Sequence, residues 1–447
     1  MGANYSLKKL GGKSSNIKSI NILENIKNKY ILKQIFNNLR NPRTIIKYNK
    51  KMQEKLDLTI KDYKKFFEIE IEIKPVANKS GDFTNILSSK YKPYFHIYFN
   101  NSNEEIKRNY LLSNEKVTNI KLVIDYNSKM KSLMEMFSCC KCIESVTFKK
   151  FNRTDIINIS GLFFGCYFLK EVNLSIFNIN NLINMNRIFS NCYSLKEINL
   201  SNFNVDKIKK MDHMFECCKS LEKINLSNFN TRNLINMRAM FYGCSSLKEL
   251  DLSNFNTSYV TDMGEMFCQC SSLKKIKISN FNTTNVKNMD NMFRGCSSLE
   301  EINLSNFDTN NTEEMHYMFS GCNKLKQINI SNFITDKLKY MHNMFSQCSS
   351  LKEIDLSNFN TKNVTHMNDM FNGCSSLEKI NVSSFITDEA LFMNNMFKEC
   401  SSLKEIDISN FTFDKVKDMS NMFKGCSEKL ISKIKTQNKN IKNEVFI

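Results

Sequence analysis

Cys348–Gly373 reads CSSLKEIDLSNFNTKNVTHMNDMFNG, and the next residue, Cys374, begins the same pattern again. Working outward from it, a cysteine recurs every 26 residues, at Cys140, Cys166, Cys192, Cys218, Cys244, Cys270, Cys296, Cys322, Cys348, Cys374, Cys400 and Cys426. No copy gains or loses a residue, so each must stack on the last in register, and the pattern predicts a solenoid rather than separate beads.

Each apolar position within a copy has a job. In the copy that starts at Cys244, Leu247, Leu250 and Leu252 have the spacing of a short strand, with Leu250 and Leu252 on one face. Ser253-Asn254-Phe255-Asn256-Thr257 is a turn cluster whose Asn and Ser side chains bond the backbone locally while Phe255 plugs the corner. Val260, Met263, Met266 and Phe267 then mark one face of a short helix or 3₁₀ turn before Cys270 closes the coil. The expected fold class is therefore an α/β repeat solenoid, with one parallel strand and one short helical turn per coil. A lone coil cannot offset the entropy of ordering its own residues, so stability must come from stacking on neighbours and the ends need caps.

The array is expected over residues 117–426. Val117, Ile120 and Leu122 form a degenerate first strand, and a Lys-rich C-terminal cap or tail occupies 427–447, where Leu430 arrives one residue late. Upstream the sequence changes character. Residues 1–65 hold 16 Lys and Arg against four acids, about two-thirds of the net charge of +18. Residues 1–19 read as a flexible basic N-terminus. The amphipathic pattern of Ile22, Leu23, Ile26, Leu32, Ile35, Phe36 and Leu39, the Asn41-Pro42 start signal and the Thr59-Ile60-Lys61-Asp62 capping box predict a small α-helical domain over 20–75. A connector at 76–116 follows, with strands expected at Glu68–Lys74 and Tyr91–Phe99.

Met1-Gly2-Ala3-Asn4-Tyr5-Ser6 fits the pattern for N-myristoylation at Gly2, and Lys8, Lys9 and Lys13 follow. One acyl chain holds a protein to a bilayer only marginally, whereas a chain plus basic residues facing anionic lipid holds it stably. No apolar run reaches the length of a membrane span, and the first 30 residues lack the apolar core of a secretory signal. The expected location is cytoplasmic and membrane-associated, with the cell surface as the alternative. The repeat cysteines read as a buried ladder of reduced thiols, since side chains pointing the same way in adjacent coils cannot meet the geometry of a disulfide. Asn-x-Ser sequences at Asn173, Asn199, Asn225, Asn303, Asn329 and Asn381 would put sugar along one face of a secreted chain, which also favours the cytosol.

No catalytic constellation emerges, and neither cofactor nor small-molecule substrate is expected. His316 and His342 share one repeat position and should stack. Cys139-Cys140-x-Cys142 lacks a fourth ligand for zinc. Gly165, Gly243, Gly295, Gly321, Gly373 and Gly425 hold one repeat position, where a tight exit from the turn is needed.

Recognition by the strand face remains. Two files point outward there: Glu171, Glu197, Lys223, Glu249, Lys275, Glu301, Gln327, Glu353, Lys379 and Glu405 in one, and Asn173, Asn199, Asn225, Asp251, Lys277, Asn303, Asn329, Asp355, Asn381 and Asp407 in the other. Glu249, Lys275 and Glu301 can form an alternating ladder. The files read either as a solvated surface kept in register by its charges or as a strip that docks a protein partner. Without aromatic files or an unbroken basic stripe, a nucleic-acid ligand is not expected.

The segments Leu351–Thr361 and Met367–Cys374 resemble the BspA-like leucine-rich repeat family, bacterial surface-protein repeats also expanded in protists. That resemblance implies a leucine-rich-repeat-like stack and a protein-binding role, as in adhesins. This chain departs from it by lacking a signal peptide, wall anchor or membrane span. Tyr30–Leu39 is similar to the first helix of an F-box, which would imply a substrate adaptor of a ubiquitin ligase; the usual Leu-Pro opening and the later tryptophan are absent.

Overall fold

The computed structural model describes residues 54, 64–85, 89–177, 179–437 and 441–446. The chain forms two compact units, Met1–Glu68 with Asp125–Asn127, and Ile69–Ile124 with Ser128–Ile447. Most of the helical domain expected at 20–75 lies outside the described residues, as do Gly2, Lys8, Lys9, Lys13 and the F-box-like segment. The strand expected at Glu68–Lys74 forms as Ile69–Pro75, its alternating isoleucines suiting a half-buried sheet, so the end of the 20–75 span is strand rather than helix.

The second unit opens with an antiparallel cap. Its strands are β1 (Ile69–Pro75), β2 (Gly81–Asp82), β3 (Phe95–Phe99), β4 (Glu105–Ile106), β5 (Tyr110–Leu111), β6 (Ile120–Ile124) and β7 (Ile143–Phe151). The main sheet has the order β4-β3-β6-β1-β7-β8, where β8 is Glu171–Asn173. Ile69, Ile71 and Ile73 of β1 and Ile120, Leu122 and Ile124 of β6 line its core. The segment expected as a degenerate first coil is thus a strand, but β6 runs antiparallel between β3 and β1. Parallel stacking begins where β7, antiparallel to β1, pairs parallel with β8. Of the other expected strand, Lys92–Tyr94 is a 3₁₀ turn and β3 occupies the rest.

Beyond β8 the chain is a β-solenoid. Strands β9 (Glu197–Asn199), β10 (Lys223–Asn225), β11 (Glu249–Asp251), β12 (Lys275–Lys277), β13 (Glu353–Asp355) and β14 (Lys379–Asn381) are three residues each. They pair in parallel and two by two, β9 with β10, β11 with β12 and β13 with β14. A second seam of parallel bridges runs through Asn236, Asp262, Asn288, Glu314, Tyr340, His366, Phe392 and Asp418.

The expected helical turn is not there. Met263, Glu265, Phe267 and Gln269 send their N–H groups to carbonyls of the next coil, at Asn288, Asp290, Met292 and Arg294, while Met266, Cys268 and Cys270 bond back three residues. Alternation of these two directions requires a left-handed residue twice per coil, and Glu265 (φ 58°) and Gln269 (φ 60°) supply it here. An α-helix cannot contain such residues, so the Met-x-x-Met-Phe segment is a run of turns locked to its neighbour. Glycine takes the second left-handed position in coils such as those ending at Gly295 (φ 71°) and Gly321 (φ 74°), where it carries no Cβ penalty.

Stacking like on like fills the interior. Phe137, Phe163, Phe189, Phe215, Phe241, Phe267, Phe293, Phe319, Phe345, Phe371, Phe397 and Phe423 form one column, with ring centroids 5.4–5.9 Å apart and planes within 18°. Beside it the cysteines are free and buried, as expected. From Cys166 to Cys426, each Sγ donates to the carbonyl of the phenylalanine 29 residues earlier, at 2.9–3.3 Å. Burial pushes these thiols up, Cys322, Cys374 and Cys426 to about 12. The turn cluster fastens coils as well as bending them: Asn306 Nδ2 reaches back to the Ile278 and Phe281 carbonyls at 3.2 and 2.6 Å. Buried Thr309 donates to the Ile334 carbonyl at 2.8 Å and accepts the Ile334 N–H at 2.7 Å. Its equivalents from Thr231 to Thr387 do the same, two coil-to-coil bonds from one hydroxyl.

The C-terminal stretch closes the stack. Leu430 and Ile434 of helix α1 (Glu428–Gln437) are buried, the Phe423 N–H donates to the Val445 carbonyl at 2.7 Å, and Phe446 stacks on Phe423 at 6.1 Å. The late arrival of Leu430 marks the change from coil to helix.

Candidate functional site

All twenty residues of the two strand-face files are exposed, on either side of an inward-pointing Ile, Leu or Val in each coil. The two files differ chemically. In the second, Asn173, Asn199, Asn225, Asp251, Asn303, Asn329, Asp355, Asn381 and Asp407 each accept, through Oδ1, the N–H of the Ser two residues on, at 2.9–3.2 Å. These side chains end the strand and start the turn. The recurring Asn-x-Ser is therefore accounted for by turn geometry.

Lys277 replaces the turn-forming residue in its coil and pairs with Asp251 at 2.8 Å. That ammonium, with the donors of Ser253, holds Asp251 down to about 2. In the first file Lys275 reaches Glu249 at 3.8 Å, so the expected charge ladder forms at that step. Among the described residues it goes no further: Glu301, Glu353, Lys379, Glu405 and Lys223 form no ion pair.

The face is furrowed. A groove of about 930 Å³ runs over Lys275, Glu301, Gln327, Glu353 and Lys379, and one of about 520 Å³ over Glu171, Glu197 and Lys223. The larger groove lies where residues 301–303 and 327–329 carry no strand, and Ile276, Ile302 and Ile328 are only half-buried on its floor. The equivalent Ile354 and Ile380 are 4% and 7% exposed. The residue type is the same at each of these positions, so no sequence signal marks the floor.

Other candidates disperse or stack. Cys140 joins the thiol ladder, Cys142 donates to the Gly81 and Asp82 carbonyls at 3.3 and 3.0 Å, and Cys139 is exposed, so the three do not converge. His316 and His342 stack at 4.8 Å, as their shared position predicts. Next to them lies an aromatic file that the sequence reading missed: Tyr340, His366 and Phe392 sit 5.2 and 4.9 Å apart along the second seam. It is away from the strand face, and its members occupy one repeat position held by polar or charged residues elsewhere, Ser132, Lys210 and Glu314 among Asn and Asp.

A family model described as "Mycoplasma protein of unknown function, DUF285" matches residues 131–250, 236–353 and 324–437. No curated protein matches the chain. Among solved structures, the chain is similar to a leucine-rich repeat protein from Eubacterium ventriosum ATCC 27560, at 17% identity over 64% of this chain and 91% of that one, with a TM-score of 0.33. It is also similar to a chain of the TLR13–ssRNA13 complex, at 14% identity over 54% of this chain and 57% of that one, with a TM-score of 0.14.

Proposed function

We propose that this chain, which belongs to the DUF285 family, is a non-catalytic module that binds protein through the strand face of its solenoid. The observation that carries this reading is the contrast between frame and face. Phe, Cys, Thr and Met positions repeat almost unchanged through the buried frame, whereas the exposed first file changes among Glu, Lys and Gln from coil to coil. A frame that fixes the coils from behind leaves this file free to carry a specific charge sequence over a furrowed surface, which is what selective docking needs. The resemblance to BspA-like repeats, many of them adhesive, points the same way.

The test is affinity capture with the full chain, followed by binding measurements on each purified partner. A Glu301→Ala/Glu353→Ala/Lys379→Ala variant should bind about tenfold more weakly. A Lys287→Ala/Lys339→Ala/Lys415→Ala variant, altered away from that face, should not change. Equal affinity of both variants and the parent ends the strand-face reading.

The reading extends to location: N-myristoylation at Gly2, with Lys8, Lys9 and Lys13 against anionic lipid, tethers the module to the cytoplasmic side of a membrane. Its support is the motif Met1–Ser6 and the basic leader. Gly2→Ala should move the protein from the membrane to the soluble fraction; an unchanged distribution removes the tether.

A further inference from the structure

The exposed first file has an order that intramolecular pairing, confined to the 3.8 Å contact of Lys275 with Glu249, leaves largely unused. From Lys223 to Glu405 its signs run plus, minus, plus, minus, neutral, minus, plus, minus. Set against its reverse, the series is opposite in sign at every step except the central one, where Glu301 meets neutral Gln327. A two-fold axis parallel to the strands turns one solenoid face-down on another, keeps each file facing itself and reverses the order of coils. With that axis between the coils of Glu301 and Gln327, Lys223 meets Glu405, Glu249 meets Lys379 and Lys275 meets Glu353, each twice.

We propose, building on the docking role of this face, that its partner is a second copy of the chain, held antiparallel in this register. Every coil is 26 residues, so both copies have the same pitch, and aligning one pair aligns all of them. The second file adds Lys277 against Asp355. The file before the first adds Lys248 against Glu378, and contributes the one like-charge pair among the three files, Lys274 against Lys352. A shift of one coil places Glu249 on Glu353 and Lys223 on Lys379, so the charges reject the neighbouring register as well as favouring this one. Half-buried Ile302 and Ile328 flank the axis, where a partner would cover them. Within one copy Lys223, Glu353, Lys379 and Glu405 have no ion-pair partner among the described residues, which leaves them available.

Sedimentation of the full chain over a concentration series tests this. The parent should dimerise, more weakly as salt rises. Lys379→Glu, and separately Glu249→Lys, should raise the dimer dissociation constant about tenfold or more, and the double exchange Glu249→Lys/Lys379→Glu should restore it. Lys223→Glu/Glu405→Lys gives the same single-break and double-rescue test at the outer pair, and unchanged circular dichroism melting shows that the coils remain folded. A parent that stays monomeric, a Lys379→Glu dimer as tight as the parent's, or a double exchange without rescue overturns the proposal. A monomer whose Glu301→Ala/Glu353→Ala/Lys379→Ala variant still loses a captured partner overturns self-docking alone. A parent and variant equal in both assays overturns the docking face itself.

Discussion

The Met-Phe-Cys corner and the strand face belong to the same coils yet are held together differently. At the corner, N–H groups bond forward to the next coil from Glu135 onto Ser160 through to Glu399 onto Lys424, and a phenylalanine column and a thiol ladder run beside them. On the strand face, strands pair two by two, with one further bridge from Lys379 to Glu405, and pairing lapses at residues 301–303 and 327–329. The register of the array is therefore set from the corner. Relieved of that duty, the face can change its charges and open a groove without unseating the stack.

The sharpest way to break this comparison is to remove a ring from the corner. Phe319→Ala deletes one fully buried ring between Phe293 and Phe345 and should cost about 3–5 kcal/mol, read from urea unfolding. A loss as small as that of a surface change would mean that the coils are not held from this side. Next, Thr309→Val leaves both the N–H and the carbonyl of Ile334 without their partner and should cost about 1–3 kcal/mol in the same assay.

Acid should act on the corner side too. Burial, with His316 and His366 beside it, lowers His342 to about 4. A base depressed in the folded state binds more protons when unfolded, so its contribution is intact above the ordinary histidine range, near pH 6.5, and is lost as pH falls towards 4. After allowance for solvent screening the loss is about 1–3 kcal/mol, and melting curves of His342→Asn should be flatter over that window. Thiol chemistry sharpens the same contrast: iodoacetamide should modify exposed Cys139 first, with the buried ladder reacting only after unfolding. The smallest effect is expected on the face, where Glu301→Ala should change stability by no more than about 0.5 kcal/mol. A larger loss there would make the face part of the frame.

Much of this architecture was legible from residue spacing. Leu247, Leu250, Leu252, Phe255 and Phe267 are buried where the pattern put them, and Glu249 and Asp251 point out. The helical turn was misread because apolar spacings of three, three and one suit both a helix and a run of alternating turns. What separates them is the direction of each N–H, which depends on the next coil. Val117–Leu122 was misread as a coil because its apolar pattern is equally that of an antiparallel cap strand. The groove was invisible because Ile302 and Ile354 are the same residue in the same motif.

The sequence alone determined that coils repeat, which side chains enter the interior, which thiols line up and which charges face out. These follow from periodicity, and periodicity is a property of the chain itself. Only the tertiary structure decided that the Met-Phe corner is turns bonded across coils, that the cap is antiparallel, and that the strand face opens between residues 301 and 329. Those depend on the distance and orientation between coils, which emerge only when one coil packs on another.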